Sequence, residues 1–155
     1  MGVHVRRTDY VRHVVDNYPG AVAATANFYR HAIRWMVQQL APRPLALVVT
    51  SDDLAWCRHY LTHLEVATFF LGGQERGKDL ALMAACNHSI FDYGTFGLTG
   101  AMLAQGRYTV LFDTGNYSYT KEMEFVHRLP GWYAMDNDGK FLDSYIKYPT
   151  TFANG

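Results

Sequence analysis

The 155-residue chain has no excess of charge: 14 lysines and arginines balance 14 aspartates and glutamates. Proteins that grip nucleic acid without regard to sequence usually carry a basic excess or stripe. This balance therefore argues against a nucleic-acid partner. Long apolar runs are also missing, since none approaches the ~18 residues of a membrane span. The first residues lack the basic, apolar, then small succession of a signal peptide, so a soluble chain is expected. Cysteine is scarce: Cys57 and Cys86 are the only two. Two are too few to name a redox compartment, and they leave open one disulfide or two buried thiols. Internal repeats, low-complexity tracts and Pro/Ser-rich linkers are absent.

What is present is a folding composition, with 49% hydrophobic and 18% charged residues. That rules out a disordered, charge-driven chain. The length suits one core, so residues 1–155 are read as a single domain. Short β-branched runs alternate with stretches of helical period. Strands are expected at Gly2–Val5, Leu45–Val49, Val66–Leu71, Ser89–Tyr93 and Tyr108–Phe112. Helices are expected at Thr25–Leu40, Asp53–Leu64, Lys78–Cys86 and Phe96–Gln105. The alternation predicts an α/β fold, a Rossmann-like parallel sheet with helices on both faces. The stretch from about residue 120 to the end is irregular and aromatic and is expected to wrap the sheet. In such sheets ligands sit beyond the carboxyl ends of the strands.

Several motifs fall near that edge. His4, Arg6 and Arg7 follow the first strand, and paired guanidinium groups suit a diphosphate. The alternative is a surface ion pair between Arg7 and Asp9. Tyr93-Gly94-Thr95-Phe96-Gly97 puts glycines and a hydroxyl where a helix begins, either an anion site or an ordinary tight turn with a cap. Residues 72–79 have the P-loop spacing but end in Asp79 where Ser or Thr should ligate magnesium. They read better as a surface loop, or as placing Asp79 against a nucleotide base. Asp136-Asn137-Asp138 has a metal-holding spacing yet, followed by Gly139, reads as a turn. His59 and His63 share a helix face without the glutamate of a zinc protease and are expected to face solvent. Ser51, Asp52 and Asp53 are read as the cap of the following helix. Asn87-His88-Ser89 and Asn116-Tyr117-Ser118 are glycosylation sequons.

Taken together, GVHVRRTDYV (2–11), FYRHAIRWM (28–36), LVVTSDDLAWC (47–57), KDLALMAACNHSI (78–90), YGTFGLTGAMLA (93–104) and LPGWYAMDND (129–138) resemble the galactoside α-1,2-fucosyltransferases of glycosyltransferase family 11. The first is similar to that family's HVRR-x-D-Y motif, and the KDLALM, CNHSI and GTFG stretches to its second. The resemblance implies the C-terminal, donor-binding half of a GT-B enzyme, with the N-terminal lobe and membrane anchor expected to be absent. It further implies inverting, metal-independent transfer of L-fucose from GDP-fucose to the 2-hydroxyl of a terminal galactose on a glycan, in the Golgi, with no cofactor.

Carried over residue by residue, the resemblance implies that Arg6 and Arg7 neutralise the diphosphate with His4 beside them. Thr95, Phe96 and Gly97 would contact phosphate or ribose, and Asp79 the guanine. Asp9 is the nearest carboxylate for a catalytic base. Thr8 stands where the family usually has glycine, and Leu98-Thr99 replaces a frequent Phe-Trp. An inactive or truncated nucleotide-sugar-binding module is the alternative.

Overall fold

The computed structural model describes residues 1–62, 64–72, 75–115 and 129–142. These contain six strands and five helices. In chain order they are β1 (Gly2–Val5), α1 (Tyr10–Asn17), α2 (Ala26–Leu40), β2 (Ala46–Ser51), α3 (Leu54–Tyr60), β3 (Ala67–Phe70), α4 (Arg76–Ala84), β4 (Ser89–Phe91), α5 (Gly94–Leu103), β5 (Thr109–Phe112) and β6 (Trp132–Met135). The strands form one parallel sheet in the order β3-β2-β1-β4-β5-β6. The chain thus winds outward from β1 to one edge, returns to β4 beside β1, and winds to the other edge. The gap between β1 and β4 is the topological switch point.

The central strands are buried on both faces, which is why they read as short unbroken apolar runs. Alternate residues serve different layers. Val3 and Val5 join Ile90, Val110 and Phe112 in a core with Phe28, Tyr29, Ala32, Ile33 and Met36 of α2 and Cys57 of α3. The opposite side chains, Phe91 and Leu111, pack with Ala101 of α5. Helices therefore cover both faces, as expected. Thr25 caps α2, its hydroxyl accepting from the Asn27 amide.

Two elements were not read from the sequence. Helix α1 has three β-branched residues among eight, a weak helical signature; burial of Val14 in the main core holds it. Strand β6 lies inside the stretch expected to be irregular. Its four residues show no alternation, and pairing with β5 makes it a strand. Helix α3 ends at Tyr60, short of the expected Leu64. Strand β4 ends at Phe91 because Asp92 and Tyr93 turn into other bonds, described below. No described helix is long and apolar enough to cross a membrane.

Candidate functional site

A cavity of about 640 Å³ opens at the carboxyl ends of β1, β2 and β4, above the switch point. Small-molecule sites run to about 300–1,000 Å³. His4 and Arg6 from β1 and its loop, with Asp52 beyond β2, form one side. Glu75, Arg76 and Asp79 at the start of α4 face them, and Thr95, Phe96 and Thr99 of α5 close the third side.

The two arginines of the opening motif part company. Arg6 lines the cavity. Its Nε and Nη2 donate to the two oxygens of Asp9 at 3.0 and 2.8 Å, and Nε lies 3.5 Å from Asp52. Nη1 has no partner among the described residues. These bonds, that to Asp9 foremost, raise the Arg6 pKa and lower that of Asp9. Arg7 is not among the lining residues. Its guanidinium carbon sits 4.1 Å over the Trp56 ring, and Nε lies 3.6 Å from Asp53. The surface ion pair considered for Arg7 and Asp9 is instead one between Arg6 and Asp9. Asp9 lies outside the cavity, mostly exposed, at the start of α1.

Asp52 does not cap the following helix; Asp53 does, accepting from the Trp56 amide at 3.0 Å. Asp52 instead clasps the arginine loop. It accepts from the amides of Arg7 and Thr8 at 2.8 and 3.1 Å, and from the Thr8 hydroxyl at 2.5 Å. A glycine at position 8 would lack that last bond, so the threonine tightens the loop.

His4 and Asp92 lie at the switch point itself. Asp92 is 2% exposed and accepts three hydrogen bonds of 2.7 Å, from the amides of Arg6 and Tyr93 and from the Tyr29 hydroxyl. One carboxylate thus joins the arginine loop, the start of α5 and helix α2. Burial nonetheless pushes its pKa up to about 7. His4 Nδ1 lies 3.8 Å from Asp92 Oδ1 and has no hydrogen-bond partner among the described residues; burial lowers the His4 pKa to about 4. The Phe96 ring lies 4.9 Å from the His4 ring.

Helix α5 begins at Gly94, two residues before the expected start, so the amides of Thr95 and Phe96 belong to its open first turn. Tyr93, the residue before it, provides no side-chain cap. Its hydroxyl instead accepts from the Ala24 amide. Gly97 does not line the cavity. It is buried where a Cβ would lie 2.9 Å from Phe91 and 3.0 Å from His4 Nδ1, so its absent side chain lets α5 settle onto the sheet.

Asp79 lines the cavity and packs against Gly72, where a side chain would collide with its carboxylate. Lys78 pairs with Glu75 at 2.8 Å and does not line the cavity. Gly73 and Gln74 of the P-loop-like stretch lie outside the described residues, as do His63 and the Asn116 sequon. His59 is exposed. Asp136 accepts from the amides of Asp138 and Lys140, a turn. Cys57 and Cys86 are free thiols, Cys57 buried and Cys86 half-buried. Ser89 of the first sequon is fully buried in β4. Sequence reasoning missed Asp92, Arg76 and the clasp made by Asp52. Only position beside a strand end could have flagged them.

The family model for glycosyl transferase family 11 matches residues 1–136. Among curated proteins, the chain is 39% identical over 109 residues to mouse galactoside 2-alpha-L-fucosyltransferase Sec1. It is 42% identical over 110 residues to galactoside alpha-(1,2)-fucosyltransferase 1 of Saimiri sciureus, and 40% over 110 to galactoside alpha-(1,2)-fucosyltransferase 2 of Bos taurus. Each match covers 68% of this chain, and the chain spans 29–31% of the length of these relatives. No solved structure matches it.

Proposed function

Because the chain belongs to glycosyl transferase family 11, we propose that its switch-point cavity binds GDP-fucose and serves transfer of L-fucose to the 2-hydroxyl of a terminal galactose. Transfer proceeds with inversion and without a metal ion or cofactor. The relatives' names, galactoside 2-alpha-L-fucosyltransferase and galactoside alpha-(1,2)-fucosyltransferase, support fucosyl transfer to galactosides. The observation that carries the donor reading is the cavity itself. Arg6, Arg76 and the uncapped first turn of α5 border one space.

Departure of GDP from the fucose anomeric carbon leaves negative charge on the β-phosphate. Donors already aimed at that charge lower the barrier, because they need no reorganisation as it forms. Arg6 is such a donor, held by Asp9 and Asp52 with Nη1 uncommitted. The α5 amides add the positive end of a helix dipole. Arg76, at the start of α4, supplies the second guanidinium; no carboxylate among the described residues pairs with it. Arg7 secures the loop through Asp53 and Trp56, and Asp79 meets the guanine. The same reading implies the Golgi lumen as the place of action.

A second reading, a donor-binding module without transfer, is favoured by Asp9. Both its oxygens are taken by Arg6, and that bond lowers its basicity. An acceptor hydroxyl would have to find its base elsewhere, and in either reading Asp9 orients Arg6. Calorimetric titration with GDP is the first test. Binding should persist in EDTA and vanish in Arg6→Ala; absence of GDP binding sinks both readings, and a requirement for a divalent cation removes metal independence. Transfer of radiolabelled fucose to a galactoside then separates them. If transfer occurs, Arg6→Ala should slow it about 10²–10³-fold, as loss of one preorganised donor does.

A further inference from the structure

We propose that His4 and Asp92 form a proton-holding pair beneath the diphosphate position, and that binding of the nucleotide sugar takes up a proton there. The inference rests on the donor reading above. His4 borders the cavity from β1, while Asp92 lies behind it, closed off from solvent. Their facing atoms, Nδ1 and Oδ1, are 3.8 Å apart, and Nδ1 is otherwise unpartnered among the described residues. The neutral ring carries its one proton on either nitrogen, so with an ionised carboxylate the pair holds a buried negative charge whether Nδ1 faces it as lone pair or as N–H. One more proton makes the pair neutral, held by the carboxyl and offered to Nδ1 or carried by the ring and offered to the carboxylate. Without it, that negative charge lies directly behind the diphosphate position.

The groups around the pair do not supply this proton. Tyr29 from α2 and the amides of Arg6 and Tyr93 already donate to Asp92. Burial raises the pKa values of both Tyr29 and Tyr93 well above the ordinary one. Cys57 on α3 is pushed up to about 11, so it also stays neutral near pH 7. Arg6 adds fixed positive charge, and Asp52 from the end of β2 favours a charged His4. Asp92, raised to about 7, is the group of this cluster poised to titrate at neutral pH.

The sign of the coupling follows from electrostatics alone. Diphosphate brings negative charge beside His4, and any nearby anion favours the protonated form of a titrating site. Linkage is reciprocal, so a proton on the pair strengthens nucleotide binding by the same factor. The proton comes from the buffer. Affinity should therefore be highest below neutrality and fall as pH rises through and above 7, by up to about tenfold per pH unit, the limit for one proton.

The test is calorimetric titration of the 155-residue chain with GDP-fucose, whose phosphates titrate far below this range, in buffers of different ionisation enthalpy between pH 6.5 and 8.5. The expected result is net proton uptake, with affinity several-fold weaker at pH 8.5 than at 7. Asp92→Asn should abolish both, and Asp92→Ser provides a second variant should the first fail to fold. Circular dichroism melts would establish folding of each. A merely structural role for Asp92 predicts weaker binding with the pH dependence retained. Binding without proton uptake, or uptake surviving in a folded Asp92 variant, overturns the inference while leaving the donor reading standing. No binding of GDP-fucose at any pH overturns both.

Discussion

His4 occupies the centre of a strand buried on both faces, a place where a hydrophobe would normally stand. Together with Asp92 it gives the fold two buried titrating groups whose effects on stability run in opposite directions. The His4 pKa falls from its ordinary 6.5 to about 4, so its contribution is present above pH 6.5 and is lost as pH drops toward 4. The Asp92 pKa rises from 3.8 to about 7, so its contribution is present below pH 3.8 and is lost as pH climbs toward 7. Between about pH 4 and 6.5 the two slopes oppose each other, each approaching about 1.4 kcal/mol per pH unit. Burial is the largest cause of both shifts, so each persists when the partner is removed. Relative to wild type, Asp92→Asn should gain stability with rising pH across that window, and His4→Asn should lose it. Urea denaturation at pH 5 and 6.5 measures the difference; curves parallel to wild type in both variants would refute the opposed titration.

Among elements, the loop after β1 and the first turn of α5 carry most of the site, and they were legible to different depths. A strand end followed by arginines, and a glycine-hydroxyl helix start, are local patterns, so both were read near the cavity edge. What could not be read was the division of labour between Arg6 and Arg7. It depends on Asp52 and Trp56, about fifty residues away, and on which way the loop is pulled. Arg7→Ala should lose the contact with Trp56, worth about 1–2 kcal/mol, and lower the melting temperature while GDP binding stays largely intact. Arg76→Ala should leave the melt unchanged and weaken GDP binding about tenfold or more, the worth of a charge-assisted bond. The opposite pattern, measured by calorimetry and thermal melts, would return the phosphate role to Arg7. Gly97→Ala tests the seat of α5. A Cβ crowding Phe91 and His4 should cost about 1–3 kcal/mol of overpacking, visible in urea melts. An unchanged midpoint would mean that the helix has room to shift.

At the scale of the whole molecule, the parallel sheet was legible because strands covered on both faces write continuous apolar runs. Its strand order was not, since order is fixed by pairings between distant segments. The partners of Asp92 and Asp52, 86 and 45 residues away, belong to that same long-range information. Strand β6 escaped notice for the same reason, and the turn after it has a structural use. Asn137 accepts from the Thr25 amide and hydroxyl at 2.8 and 3.0 Å and donates to the Ala23 carbonyl at 2.9 Å. Between those residues, the Ala24 amide donates to the Tyr93 hydroxyl beside the switch point. The entry to α2 is therefore held from the sheet's far edge and from its centre at once. Asn137→Ala leaves the Thr25 amide without its acceptor and should lower stability by about 1–3 kcal/mol. The central attachment through Tyr93 survives, so GDP affinity should change less than twofold. Urea denaturation read alongside calorimetry distinguishes the cases. A tenfold loss of affinity in a folded Asn137→Ala protein would mean that the cavity depends on the edge of the sheet, and that the two attachments act as one.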